Sequence, residues 1–325
     1  MFRVLHYIDT VYKERSFSKA AQKLHLAQPS LSLTIKNFEQ EIGIQIFDRS
    51  TTPIQLTEPG QIYLKGIQEI LSIEKDLESY VDDYNELRKG ELILGAAHLL
   101  ASYLLPSLIT RFLRKYPYIK IRIMEGDFPR LHEMVLEGEI DLLIEPHTFD
   151  PKLFDSEPLF EERILLAVPN QEPLNKKLTE YRLGFEDIRR DMHLRSDIHP
   201  VELANFQDCK FLMMGRGYDM RDRARQLCRD SGFEPVTSME LNQLMTAYSM
   251  VDQQLGVAFV SDTIVKLSNT GANISFYKLT GPSATRYINM AWKRNRYVSR
   301  SMDAFRNLMK EIVSSGIMSV SPYYS

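Results

Sequence analysis

The stretch Ser16-Phe17-Ser18-Lys19-Ala20-Ala21-Gln22-Lys23-Leu24-His25-Leu26-Ala27-Gln28-Pro29-Ser30-Leu31-Ser32-Leu33-Thr34-Ile35-Lys36 holds two helical patterns separated by a break. Ser18 is placed to cap a short helix whose inner face carries Ala20, Ala21 and Leu24. Small alanines there let another helix approach closely. The break falls at His25-Leu26-Ala27-Gln28, and Pro29 follows at the first helical position, where its missing N–H costs nothing. Leu31, Ile35, Phe38 and Ile42 then recur at intervals of four, three and four, which predicts an amphipathic helix ending before Gly43. Ser30, Ser32, Leu33 and Lys36 point outward. Two short helices about a tight break, the second with small polar residues at its outer N-terminal face, form a helix-turn-helix pattern.

Working outward, Phe2, Leu5, Ile8 and Val11-Tyr12 make a helical stripe on one side. On the other, Ile44–Phe47 and Ile54–Leu56 are strand-like and flank a hairpin loop at Asp48–Pro53, which reads as a wing. Thr57 then caps a long helix that nothing breaks before Gly90. At about 1.5 Å per residue this is a rod of about 45 Å. Its apolar stripe is Ile67, Ile70, Leu77, Val81, Tyr84 and Leu87. A helix this long cannot bury that stripe against itself, so either a second copy of the chain or the chain's own neighbouring domains must cover it.

From Glu91 onward, strand and helix patterns alternate. Leu92–Leu94, Ile119–Met124 and Ile140–Ile144 are strands, with helices at Leu104–Tyr116 and Leu131–Leu136 between them. A second run has strands at Ile164–Val168, Phe211–Met213, Val236–Met239 and Val257–Val260, with helices at Met220–Arg229 and Leu241–Val251. The chain returns through Ile274–Phe276 and Tyr287–Trp292 to a final helix at Met302–Val313. The pattern predicts α/β lobes with a largely parallel sheet. Lobe I spans about 91–162 and 268–325 and lobe II about 163–267; a cleft between two such lobes generally takes a small molecule. The expected domains are therefore 1–60, 61–90 and 91–325.

Composition narrows the function. A chain of 325 residues with 44% hydrophobic and 26% charged residues is a folded, multi-domain protein. Cys209 and Cys228, nineteen positions apart, suit neither a disulfide framework nor a zinc knuckle. No apolar run reaches membrane-spanning length, the N-terminal residues are not a signal peptide, and a cytoplasmic location follows as an expectation. There is no His-Glu-x-x-His, phosphate-binding loop, Gly-x-Ser-x-Gly or Cys-x-x-Cys, so neither an enzyme nor a resident cofactor or metal is expected. A net charge of −3 argues on average against a nucleic-acid partner, yet Arg15, Lys19, Lys23 and Lys36 lie in a window, 15–38, that contains no acid. Residues 61–90, with four basic and seven acidic residues, account for the negative balance.

Ser16–Leu24, Gln28–Ser32, Ile35, Glu39, Gly43, Phe47-Asp48-Arg49 and Leu56-Thr57-Glu58-Pro59-Gly60, in this order, resemble the N-terminal module of LysR-type transcriptional regulators. The likeness continues through Leu104-Leu105-Pro106, Tyr116-Pro117, Glu125-Gly126, Gly138–Leu142 and Gly256-Val257, so it covers nearly the whole chain. It implies an N-terminal all-α winged helix-turn-helix, a dimerising linker helix (through Ile67, Ile70, Leu77, Val81 and Tyr84), and a C-terminal two-lobed effector domain like periplasmic binding proteins. It also implies homodimers that pair into homotetramers on double-stranded DNA, and a small metabolite that changes transcription.

The resemblance implies DNA contacts by Ser18, Gln28, Pro29, Ser30, Ser32, Leu33 and Lys36. Glutamine suits adenine, serine suits bases or phosphates, and lysine neutralises phosphate. Leu33 departs from the polar residue many relatives carry and suits a thymine methyl. Arg49 meets phosphate or the minor groove, or else pairs internally with Asp48 or Glu39; Thr52-Pro53 stands where relatives often carry another arginine, so modest salt dependence is expected. For the effector, the resemblance implies the loop Ala97-His98-Leu99, Asp127, and Gly217, Tyr218 and Arg221 in lobe II. The first loop has no hydroxyl, which disfavours a simple carboxylate and favours a cationic or donor group met by Asp127 and His98; alternatively Asp127 only caps a helix. The charged segment between Leu174 and Phe211 is longer than the family pattern and is expected to be a solvated insertion, or a shield for the cleft or an oligomer face.

Overall fold

Helices α1 (Phe2–Glu14), α2 (Phe17–Lys23) and α3 (Gln28–Ile42) close around one core made of Leu5, Ile8 and Val11, Ala20 and Ala21, and Leu31, Ile35 and Phe38. This is a computed structural model describing residues 2–84 and 90–314; the chain forms two units, the first ending at Tyr84. The cap of α2 is Ser16, not Ser18: Ser16 Oγ accepts from Lys19 N at 3.3 Å. Phe17 puts its ring into the core, 5.6 Å from that of Phe47, so the helix begins there and Ser18 is an exposed residue of its first turn. Gly43 ends α3 with φ at 71°, a left-handed conformation that glycine adopts without strain.

The wing is shorter than expected. Strands β1 (Phe47–Asp48) and β2 (Gln55–Leu56) pair antiparallel over two residues each. Ile44–Ile46 stay out of the ladder because their backbone groups are engaged elsewhere. Ile46 N donates to the Glu39 carboxylate at 2.8 Å, and Ile46 O accepts from Thr57 N at 3.0 Å. Thr57 caps α4 (Glu58–Tyr84), its Oγ1 accepting from Gly60 N at 3.0 Å.

The second unit opens with β3 (Glu91–Ala96), α5 (His98–Tyr103), α6 (Leu105–Lys115), β4 (Lys120–Glu125), α7 (Phe128–Leu136) and β5 (Leu142–Glu145). The helix expected at Leu104–Tyr116 is preceded by a separate one. The chain breaks at Leu104, just ahead of Pro106, where proline can join only the first turn of a new helix. Strands β4 and β5 lie parallel to β3, as helical crossovers require.

Next come β6 (Phe154–Pro169), α8 (Leu174–Lys177), β7 (Arg182–Leu183), α9 (Phe185–Arg189), β8 (Lys210–Met214), α10 (Asp219–Asp230), β9 (Val236–Leu241), α11 (Leu244–Asp252), β10 (Ala258–Ser261), α12 (Asp262–Leu267), β11 (Ile274–Lys278), β12 (Thr285–Lys293) and α13 (Arg300–Ser314). Strand β6 is far longer than expected. Its polar half, Phe154–Arg163, pairs antiparallel with β12, and its apolar half pairs with β10 and β11. The sheet is thus mixed rather than largely parallel. Because Ile274–Lys278 pairs with Leu165–Pro169, lobe II keeps the chain to Lys278, and the return to lobe I comes later than 268. Strands β6 and β12 are the two crossings between lobes.

The segment 174–211 is not a solvated appendage. Ile188 and Phe206 are fully buried, β7 pairs with β11, and Tyr277 OH donates to Asn175 Oδ1 at 2.7 Å. Its charges face outward while Val201, Leu203 and Phe206 complete a lobe II core. Among the described residues, no helix is long and apolar enough to cross a membrane.

Candidate nucleic-acid interface and ligand cavity

The N-terminal end of α3 is open to solvent. Gln28, Pro29, Ser30 and Lys36 are exposed, Ser32 is half-buried, and no side chain caps the helix at Ala27. Its free amides and the positive end of its dipole suit a phosphate. Leu33 is 59% exposed, so it lies outside the core that takes Leu31 and Ile35. Thr34 is turned back, its Oγ1 donating to Ser30 O at 2.8 Å. Of the basic window, Lys23 pairs with Glu14 at 2.6 Å, whereas Arg15, Lys19 and Lys36 carry no ion pair among the described residues.

Arg49 serves the wing from within. Its guanidinium donates to Glu39 Oε2 at 3.0 Å and Ser32 Oγ at 2.8 Å, and lies 4.9 Å from the centre of the Phe17 ring. The internal pairing with Glu39, one of the two readings open from sequence, is the one observed; it also ties up Ser32. Glu39 was the residue that sequence reasoning left without a role. Buried, it accepts from Ile46 N, from Phe47 N at 3.1 Å and from Arg49, and so fastens the wing to α3.

Helix α4 divides by face. Ile67 is 1% exposed and belongs, with Leu64, to the core of the N-terminal domain, so it is unavailable to a second chain. Ile70 and Leu77 are exposed, together with Ile62, Ile73 and Tyr80, which continue the same stripe. The side chains of Val81 and Tyr84, and all of Leu87, lie outside the described residues.

Six of the seven expected effector residues, namely Ala97, His98, Leu99, Asp127, Gly217 and Tyr218, line one cavity of about 310 Å³ between the lobes. Arg221 does not. Its Nη1 is held by Met214 O at 2.9 Å and by Glu240 Oε2 at 2.9 Å, which braces the loop after β8. His98 Nδ1 is engaged by Glu125 Oε2 at 3.0 Å rather than by Asp127. Asp127 Oδ1 accepts from Arg130 N at 3.4 Å, a weak cap of α7, while the residue also lines the cavity.

Sequence reasoning missed the floor. Arg286 on β12 faces Glu162 on β6 as a cross-strand pair. Its Nε donates to Glu162 Oε2 at 2.7 Å and its Nη1 to Asp219 Oδ2 at 2.9 Å; Arg223 holds Asp219 from the other side at 2.8 Å. Beside them, Glu145 is 2.5 Å from His132 Nε2 and 3.9 Å from His147 Nδ1, and His147 stacks on Phe128 at 3.7 Å. Burial pushes the Glu145 carboxyl up, with His132 partly offsetting it. Burial pushes His147 down to about 4, against the pull of Asp219.

The imidazole shift makes the fold acid-sensitive. With a folded pKa below the ordinary 6.5, the unfolded chain binds the proton first, so stability rises with pH between about 4 and 6.5 and is lost as pH falls through that window. Going from pH 7 to pH 5 costs about 2 kcal/mol through this group. Thermal denaturation of His147→Gln against the parent at both pH values reads the difference; an unchanged slope contradicts it.

Elsewhere, Asp191, His193 and Asp262 come together, but Lys266 Nζ lies 2.6 Å from Asp191 Oδ1 and 2.9 Å from Asp262 Oδ2, so an ammonium takes the place of a metal cation. Burial alone raises Asp262, yet His193 and Lys266 outweigh it and hold its carboxyl low. Burial raises the Cys209 and Cys228 thiols to about 11 and about 12. Both stay protonated near neutrality, and their labelling by a thiol reagent at pH 8 is expected to run about 100-fold or more slower than that of free cysteine.

Comparison with known proteins gives two family matches: "Bacterial regulatory helix-turn-helix protein, lysR family" over residues 2–61, and "LysR substrate binding domain" over residues 85–314. The chain is 28% identical over 309 residues to the uncharacterized HTH-type transcriptional regulator YcgK of Bacillus subtilis, covering 95% of this chain and 94% of that one. It is 29% identical over 316 residues to a probable RuBisCO transcriptional regulator of Cyanidioschyzon merolae, covering 95% and 97%. Among solved structures, a full-length variant of OxyR from Pseudomonas aeruginosa shares the fold with a TM-score of 0.71 at 24% identity, covering 95% of this chain and 94% of that one. Full-length CbnR in complex with its target DNA does so with a TM-score of 0.62 at 18% identity, covering 96% and 99%. From its winged tip to its two-lobed domain, the chain belongs to the LysR family of DNA-binding transcriptional regulators.

Proposed function

We propose that this regulator reads double-stranded DNA with the N-terminal end of α3 and that a small molecule in the inter-lobe cavity sets how the DNA is held. The observation that carries the reading is the acid-free, open face of Gln28, Ser30, Leu33 and Lys36 in the same chain as a 310 Å³ cavity lined from both lobes. Leu33 contributes specificity by apolar contact with a thymine methyl, and Lys36 contributes charge. The exposed apolar stripe of α4 pairs with that of a second copy, and dimers pair further on a dyad-related site. The protein works in the cytoplasm, without catalysis of its own.

Binding-site selection with the full chain tests this. Leu33→Ala is expected to relax preference at one thymine-containing position, whereas Lys36→Ala weakens all sequences alike and lowers the salt slope by about 1. With Arg15, Lys19 and Lys36 as the unpaired cations, the slope for a dimer stays near about −5. Unchanged preference in Leu33→Ala, or a slope near about −10, contradicts the assignment.

A further inference from the structure

The cavity described above has an uneven chemistry. Four carboxylates line it (Asp127, Glu145, Glu162 and Asp219) against one guanidinium, that of Arg286. That guanidinium is already shared between Glu162 and Asp219. Glu162 is 0% exposed, and its Oε1 has no hydrogen-bond partner. The Nδ1 of His147 is likewise buried without one. A buried carboxylate oxygen left unpaired is costly, so the unfilled capacity at the floor of the cavity is acceptor capacity. At the loop that would meet an anion, Ala97 offers no hydroxyl and His98 Nδ1 is engaged by Glu125. An anionic ligand would add a fifth negative charge; a cation would relieve the four present.

We propose that the cavity takes a small organic cation, a protonated amine or amidine on an apolar body, with its N–H donors turned to Glu162 and Asp219 and its carbon skeleton against Leu99, Tyr218 and Met245. This rests on the cavity being the effector site and adds the ligand's charge and class. Burial-driven elevation of Glu145 is in keeping with it, since a nearby cation would favour the ionised carboxyl.

The test is a thermal-shift screen of the full chain with agmatine, phenethylamine and cadaverine against the matched acids phenylpropionate and glutarate, followed by titration of whatever binds. Expected is a rise in melting temperature with at least one amine and none with the acids. Glu162→Gln should weaken that amine about tenfold or more. Ala97→Phe, which adds a ring to the cavity wall, should abolish its binding. If Glu162→Gln does not fold, Asp127→Asn, at an exposed position, should still weaken the amine severalfold. Acids that bind while amines do not, with Ala97→Phe abolishing them, overturn the ligand class and leave the cavity as effector site. Binding indifferent to Ala97→Phe overturns both, and a screen in which no amine shifts the melting overturns the ligand class.

Discussion

Replacing Glu39 with alanine should destabilise the winged domain by about 3 kcal/mol or more and abolish specific DNA binding. Three donors converge on this one buried carboxylate: Ile46 N, Phe47 N and the Arg49 guanidinium. Ile46 and Phe47 are themselves buried, so water cannot replace the lost acceptor. Arg49 is left beside the Phe17 ring without its anion. Glu39→Gln keeps one acceptor oxygen for the amides but not the charge, and should cost roughly half as much. Melting of the full chain, read with far-ultraviolet circular dichroism, distinguishes the two. A loss under about 1 kcal/mol in the alanine variant would show that the wing does not depend on this hub.

A comparable loss is expected from a single methyl group. A Cβ at position 60 would meet Ile46 O well inside contact distance and lie 2.9 Å from Ile46 C and Cα, all of them backbone atoms that cannot swing aside. The same Ile46 carbonyl accepts from Thr57 N, so moving it also breaks the start of α4. Gly60→Ala should therefore cost about 3 kcal/mol. Gly66, further along the same helix, supplies the control, because a Cβ there meets nothing within 4 Å. Gly66→Ala should raise stability by about 0.5–1 kcal/mol through helix propensity alone. Equal effects at both positions would mean that close approach to Ile46 is not what requires glycine at 60.

The contrast between these glycines shows what sequence could and could not convey. Periodicity placed Leu31, Ile35 and Phe38 in a core and Leu33 outside it, because a helix forces that alternation. It could not choose between a second chain and the wing for Ile67, since apolar spacing on a helix names a face and not its partner. The polar half of β6 gave no strand signal, as residues such as Asp155, Glu157 and Glu161 carry no apolar alternation. For the same reason the charged segment 174–211 read as solvated although Ile188 and Phe206 anchor it. In the cavity, the loop residues were legible because each follows a strand or opens a helix. The floor was not: Glu162, Asp219 and Arg286 lie far apart in sequence and meet only through the pairing of β6 with β12 and the start of α10. Arg221 was the inverse case, close to the right loop but turned away to Met214 and Glu240.

The most direct measurement is a nuclease footprint of the full chain on the DNA upstream of the neighbouring gene, at fixed salt and against a random-sequence fragment of equal length. Expected is protection of two dyad-related half-sites, lost in a Leu33→Ala, Lys36→Ala double variant whose melting is unchanged. Protection no stronger than on the random fragment, or protection that survives in the double variant, would contradict DNA reading by the open end of α3.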